Sequence, residues 1–175
     1  MSEVSTVLTD DADGVLIITI NRPQAKNAVN RSVAEGVAAA LDRLDNDEAL
    51  RVGIVTGAGG TFCAGMDLKA FVSGEFPAVE GRGFGGMTER SADKPLIAAV
   101  EGYALAGGCE LAIACDLIVA ADNAKFGIPE VKRGLVAAAG GLVRLPSQIP
   151  YRVAMELALT GEFMGADRAM AMGLI

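Results

Sequence analysis

The stretch "AGGCELAIACD", Ala106 to Asp116, places two glycines ahead of small apolar residues and a single acid, Glu110. An acid among apolar residues is costly unless something pairs it or uses it. The stretch reads as a helix ending near Asp116, with Gly107 and Gly108 where that helix starts. The first N–H groups of a helix have no partner within it, and the helix dipole adds positive potential there. Such a terminus attracts an oxyanion or a polarised carbonyl. Glycine removes the Cβ and lets a substrate come close, and Glu110 in the first turn lies near whatever those N–H groups hold. Taken alone, Glu110 is equally a first-turn acid favoured by the dipole.

The flanking sequence supplies the frame. Apolar runs at 14–21 ("GVLIITIN"), 52–57, 95–102 and 117–122 read as buried strands. Residues 30–46 carry apolar positions 33, 37, 40, 41 and 44, a helical period with Asn30 as N-cap. Helices are also read at 151–160 and 165–172. "AGGTFCAGMDLKAF" (58–71) is a glycine-rich turn running into a short helix from about Asp67. The mixed, glycine-rich segment 73–95 is expected to be mobile with some helix, a candidate lid, and 125–150 reads as loop-rich. The final "AMAMGLI" reads as the start of a strand. Strands alternating with helices argue an α/β fold.

Composition narrows the function classes. The chain has 175 residues, 51% of them hydrophobic but only 5% aromatic, so its core relies on small side chains and close packing. The net charge is −7 with no basic cluster, which argues against nucleic acid and anionic membranes as partners. No apolar run reaches the ~18 residues of a membrane span. There is no histidine, and the three cysteines, Cys63, Cys109 and Cys115, form no CxxC pair, so no metal is expected. Reduced thiols without a signal peptide point to the cytoplasm. Without histidine, Ser–His–Asp and Cys–His catalysis are excluded. Any acid–base chemistry falls to carboxylates, lysines, tyrosines or backbone groups.

"VTGAGGTF" puts a glycine-rich turn after a strand, but a dinucleotide fingerprint counted from Gly57 would need glycine where Phe62 stands. In "CAGMD" (63–67), Gly65 allows a sharp bend that can turn neighbouring N–H groups into a pocket. In "FGIPEVKRG" (126–134), Pro129 fixes the backbone and so aims Glu130. Glu130 alone reads more readily as a solvated loop acid. Together, two glycine-rich turns supplying one N–H each, with two glutamates beside them, are equipment for stabilising an enolate-like charge and moving protons next to it.

"IAAVEGYALAGGCELAIACDL" (97–117) resembles the signature segment of the enoyl-CoA hydratase/isomerase (crotonase) superfamily. "NRPQAKNAVN", "GTFCAGMDL" and "AKFGIPEVKRGLVAAAGGLVRLP" resemble its other landmarks, in the right order. The resemblance implies one domain, 1–175, built as a crotonase-like spiral of repeated ββα units. It implies an acyl-CoA thioester substrate and no separate cofactor, CoA entering with the substrate. Met66 and Gly107 match the two oxyanion-hole N–H groups, and Glu110 and Glu130 match the hydratase's two catalytic acids. Lys26 and Ala28, with Ala64, Gly65, Asp67 and Leu68, match CoA-contacting segments. Lys26 fits a phosphate contact and a solvated lysine about equally. Gly108 and Pro129 flank the catalytic positions and are expected at the substrate.

With both acids present, the expected reaction is syn addition of water to a trans-2-enoyl-CoA. The alternatives are an isomerase or, from "GGLVRLP", an enzyme resembling the carnitinyl-CoA dehydratase-like members. A non-catalytic acyl-CoA-binding protein is the alternative of another class. Family members continue beyond this length into C-terminal helices that build a trimer, often paired into a hexamer. The expected core therefore lacks that helical region, and trimer or hexamer contacts follow if those helices exist.

Overall fold

The computed structural model describes residues 5–175; residues 1–4 of the expected domain lie outside the described residues. The first elements form a hairpin. Val7–Ala12 (β1) pairs antiparallel with Val15–Ile20 (β2) across Asp13 and Gly14, both at positive φ. β2 alternates half-buried and buried residues, with Leu16, Ile18 and Ile20 fully buried. Nothing in the sequence pattern announces β1, because nearly all of it is exposed and it contains two aspartates.

Arg31–Asn46 (α1) starts at Asn30, whose side-chain oxygen accepts from Val33 N at 3.1 Å. Its buried face includes Val33, Val37, Ala40, Leu41 and Leu44, the expected stripe. Val52–Gly57 (β3) pairs in parallel with β2. Leu68–Val72 (α2) is capped by Asp67.

Segment 73–95 departs from expectation. It holds no helix, only the two-residue strands Ala78–Val79 (β4) and Gly83–Phe84 (β5), paired antiparallel. Gly74, Gly81, Gly83, Gly85 and Gly86 all take positive φ. A right-handed helix cannot run through that backbone.

Leu96–Val100 (β6) adds in parallel to β3, followed by Tyr103–Leu105 (β7) and Gly107–Ile113 (α3). Leu117–Ala120 (β8) adds in parallel to β6, followed by Lys125–Gly127 (β9) and a 3₁₀ turn at Pro129–Arg133. Gly141–Gln148 (α4) is a helix inside the stretch read as loop-rich, where its glycines and internal Pro146 obscured the period. Tyr151–Thr160 (α5), Met164–Gly165 (β10) and Ala166–Ala171 (α6) complete the described elements. The expected strand in "AMAMGLI" does not form. α6 occupies its first half, and Leu174 N turns back to Ala169 O.

Two sheets result. The first has the order β1-β2-β3-β6-β8, and the second β10-β9-β7. Isolated bridges Cys63–Ala104 and Val29–Met66 carry the second sheet's pairing on. From β2 on, each strand of the first sheet is thus followed by a short extended stretch in the second layer. That is the expected spiral: strand, short strand, then helix or turn. The core lies under the first sheet and around α1 and α3, and its largest buried side chains include Phe62, Phe126, Leu41 and Leu111.

Candidate active site

Two short-strand ends converge on one cavity. β7 leads into Ala106, which sits at φ 52°, ψ −128°, a strained conformation for a residue with a Cβ. Ala106 N is spent on Gly127 O of the neighbouring β9 at 2.9 Å, and the next residue opens α3. Among the described residues Gly107 N donates to no protein acceptor, and neither does Met66 N. These are the two N–H groups expected of an oxyanion hole. They are close: a Cβ on Gly65, itself at φ 103°, would lie 3.3 Å from Gly107 N. Here Ala106 carries the positive φ, and Gly107 and Gly108 do not. A Cβ on Gly107 would fall 2.5 Å from the Phe84 ring and push it aside.

Glu110 is only 3% exposed. Its Oε1 accepts from Gly141 N at 2.8 Å. Burial pushes its carboxyl up to about 7. The Gly141 N–H opposes that rise, the Glu130 carboxylate adds to it, and the Ala139 N–H and the Arg144 charge oppose it. Glu130 follows Pro129 in the 3₁₀ turn and is half-buried. Burial also raises its carboxyl above the ordinary value, opposed by its own backbone N–H. Its Oε2 is buried with no hydrogen-bond partner among the described residues.

Met66, Gly107, Glu110, Pro129 and Glu130, with Ala64 and Leu68, line one cavity of about 790 Å³. The sequence did not point to the aromatic wall. The chain has six phenylalanines, and Phe71, Phe76, Phe84 and Phe163 all face this cavity. They are scattered over three segments, so no local pattern marks them. Arg144 and Thr88 line the cavity as well. Among the described residues, no three His, Cys, Asp or Glu side chains group as a metal site. No helix among them is long and apolar enough to cross a membrane.

The remaining predicted residues sit beside the cavity rather than on its wall. Gly108 is required by packing: a Cβ there would overlap the Cys63 carbonyl oxygen. Asp67 caps α2 by accepting from Lys69 N and Ala70 N, and it pairs with Arg22 at 2.9 Å. Burial works to raise the Asp67 carboxyl, but Arg22 and those N–H groups outweigh it and hold it below the ordinary value. Arg22 also donates to Ala28 O at 2.5 Å. Lys26 O accepts from Ala64 N, and Gly65 O from Val29 N. The loop 22–29 is therefore zipped to the 64–67 turn, with the exposed Lys26 Nζ 5.5 Å above the Tyr103 ring. Buried Asn27 locks the same loop by donating to Ala58 O and Thr61 O while accepting from Arg22 N.

The two-layer spiral with paired N–H donors and paired glutamates defines a class, and the comparisons give its family. The model of the enoyl-CoA hydratase/isomerase family matches residues 10–175, and the chain belongs to that family. A carnitinyl-CoA dehydratase of Escherichia coli (strain K12) is 46% identical over 165 residues, covering 92% of this chain. The chain spans 63% of the length of that curated relative. Among solved structures, an enoyl-CoA hydratase from Mycobacterium marinum superposes with a TM-score of 0.96 at 66% identity, over 98% of this chain and 68% of that one. A carnitinyl-CoA hydratase from Mycobacterium avium superposes with a TM-score of 0.95 at 47% identity, over 98% of this chain and 67% of that one.

Proposed function

We propose that this chain carries the core of a hydro-lyase that reversibly adds water across the 2,3 double bond of a trans-2-enoyl-CoA. One observation carries the reading: two buried carboxyls and two unspent backbone N–H groups share one cavity. In the hydration direction Glu110 takes a proton from water as its oxygen bonds to C3. The C2=C3 electron pair moves to the thioester oxygen, where Met66 N–H and Gly107 N–H hold the enolate. Glu130 then gives its proton to C2. One acid must start ionised and the other protonated. Burial raises both carboxyls and their mutual repulsion disfavours ionising both at once, so one keeps a proton, and the Gly141 N–H draws the negative charge to Glu110.

The CoA moiety is assigned to the zipped loops 22–29 and 64–68, with Lys26 free to meet a phosphate, and the acyl group to the phenylalanine wall. No separate cofactor is part of the reading. A homotrimer or hexamer of the full-length protein and a cytoplasmic location belong to the same proposal, supported by the family membership alone.

The test is hydration of crotonyl-CoA and longer enoyl-CoAs, followed by loss of enoyl absorbance. No hydration at any chain length sinks the reading. A second reading, dehydration of carnitinyl-CoA, is favoured by the 46% identity to the E. coli dehydratase. It predicts that carnitinyl-CoA outcompetes 3-hydroxybutyryl-CoA in the reverse direction. A purely binding role predicts that Glu110→Gln and Glu130→Gln leave function untouched.

A further inference from the structure

One side chain joins two parts of the cavity that are far apart in sequence. Arg144 Nη2 donates to Thr88 O at 2.6 Å, on the wall that follows β5. Arg144 Nη1 donates to Ala139 O at 3.4 Å, in the loop that precedes α4. Its own backbone N–H donates to Gly140 O at 2.8 Å. That loop is the one that grips Glu110, through Gly141 N at 2.8 Å and with Ala139 N–H facing the same carboxylate. Gly140, at φ 109°, is also required: a Cβ there would overlap Arg144 Nη1.

We propose that Arg144 is a positioning residue whose guanidinium fork pins the 139–141 loop against the cavity wall and, through Gly141 N–H, fixes the Glu110 carboxylate. The fork is the reason for arginine. Its planar donors reach two carbonyls at once in a fixed geometry, whereas a lysine ammonium is a single point donor on a flexible stem. The charged groups acting on Glu110 are Glu130 from the 3₁₀ turn and Arg144 from α4, and Glu89 on the wall with Lys132 and Arg133 on the 3₁₀ turn line the same cavity. On α3 itself, burial pushes the Cys109 thiol up to about 12, which keeps it neutral. Arg144 is thus the one cation acting on Glu110 among the described residues. It is half-buried, so its charge is only partly screened. The task assigned to Glu110 rests on the hydro-lyase reading; the positioning itself does not.

The experiment combines two readouts on the wild type, Arg144→Met and Arg144→Lys. Carboxyl-carbon NMR follows the titration of Glu110, with Glu110→Gln as the blank, and crotonyl-CoA hydration gives kcat and KM. In Arg144→Met the Glu110 midpoint should rise by about 1 pH unit. Its kcat should fall about 100-fold from misplacement of the base, with KM changed far less. Arg144→Lys keeps the charge and loses the fork, so its midpoint stays near wild type while kcat still falls. A Glu110 midpoint unmoved in Arg144→Met overturns the proposal, and so does an unchanged kcat in an active enzyme. A lower melting temperature with the titration unmoved makes Arg144 merely structural and also overturns it. If Arg144→Met does not fold, Arg144→Gln is read by the same two measurements. If the wild type hydrates nothing but the Glu110 midpoint still rises in Arg144→Met, the positioning is supported and the hydro-lyase reading is removed instead.

Discussion

Two units of this molecule are built alike and end differently. β6 and β7 lead through Ala106 into α3, and β8 and β9 lead through Ile128 into the Pro129–Arg133 turn. Each brings a glutamate to the same cavity. Glu110 stands on a regular helix, nearly sealed from solvent, with Gly141 N–H donating to it. Glu130 stands on a turn, half-buried, with one oxygen that no donor reaches among the described residues. The same strand-to-strand scaffold thus yields one carboxyl that is held by a backbone donor and one that is held by less. An addition that needs a base and an acid at once gains from that inequality.

Neutralising either member breaks the comparison most directly. Glu110→Gln and Glu130→Gln should each lower kcat for hydration by about 10³-fold, with much smaller changes in acyl-CoA binding. Absorbance kinetics paired with calorimetric binding of a saturated acyl-CoA would show it. Equal losses in both quantities would mean that the acids build the pocket and do no chemistry.

The glycines of the first unit come next. Gly108→Ala drives a Cβ into the Cys63 carbonyl, a backbone atom that cannot swing aside, and should destabilise the fold by about 3 kcal/mol in urea titrations. Gly107→Ala meets only the Phe84 ring, which can move, so stability should change less while thioester binding suffers. The reverse order of stabilities would place the packing contact at the wrong glycine.

The strain on Glu110 is measurable too. Its carboxyl ordinarily titrates at 4.5 and is raised to about 7 here, so its ionised form opposes folding. That penalty is absent well below 4.5, grows between 4.5 and 7, and is constant above. Glu110→Gln should therefore be more stable than wild type by about 2 kcal/mol at pH 8, after allowing for partial solvent screening, and gain nothing at pH 4. For the same reason kcat/KM for hydration should fall as pH drops below about 7, where the base becomes protonated. An acid limb absent down to pH 5 would assign the base elsewhere.

The smallest effect belongs to Asp67. As a helix cap paired with Arg22, its replacement by alanine should cost about 1 kcal/mol of stability and leave kcat alone. A selective rise in KM instead would return Asp67 to the substrate.

The elements legible in the sequence were the helices α1, α2, α3, α5 and α6 and the strands β2, β3, β6 and β8. β1 was silent because only its first residue is even partly buried. α4 was silent because Gly140, Gly141 and Pro146 read as loop punctuation while its packing overrode them. β7, β9 and β10 span two or three residues each, too short for any alternation to register. In segment 73–95 the glycines were visible, but their positive φ values, which forbid the expected helix, were not.

At the site the same division holds. By itself the sequence marked the candidates for the chemistry, because Met66, Gly107, Glu110 and Glu130 lie in short motifs whose residue types are dictated locally. Only the tertiary structure decided their condition. It brought Gly141 N–H to Glu110, left Glu130 Oε2 without a donor, and gathered four of six phenylalanines on one wall. It also gave Gly108 a packing contact and Asp67 a capping role that the sequence did not announce. The physical reason is range. Backbone conformation is set by near neighbours, while burial and hydrogen-bond partners come from segments 30 or more residues away, as in the 31-residue gap between Glu110 and Gly141.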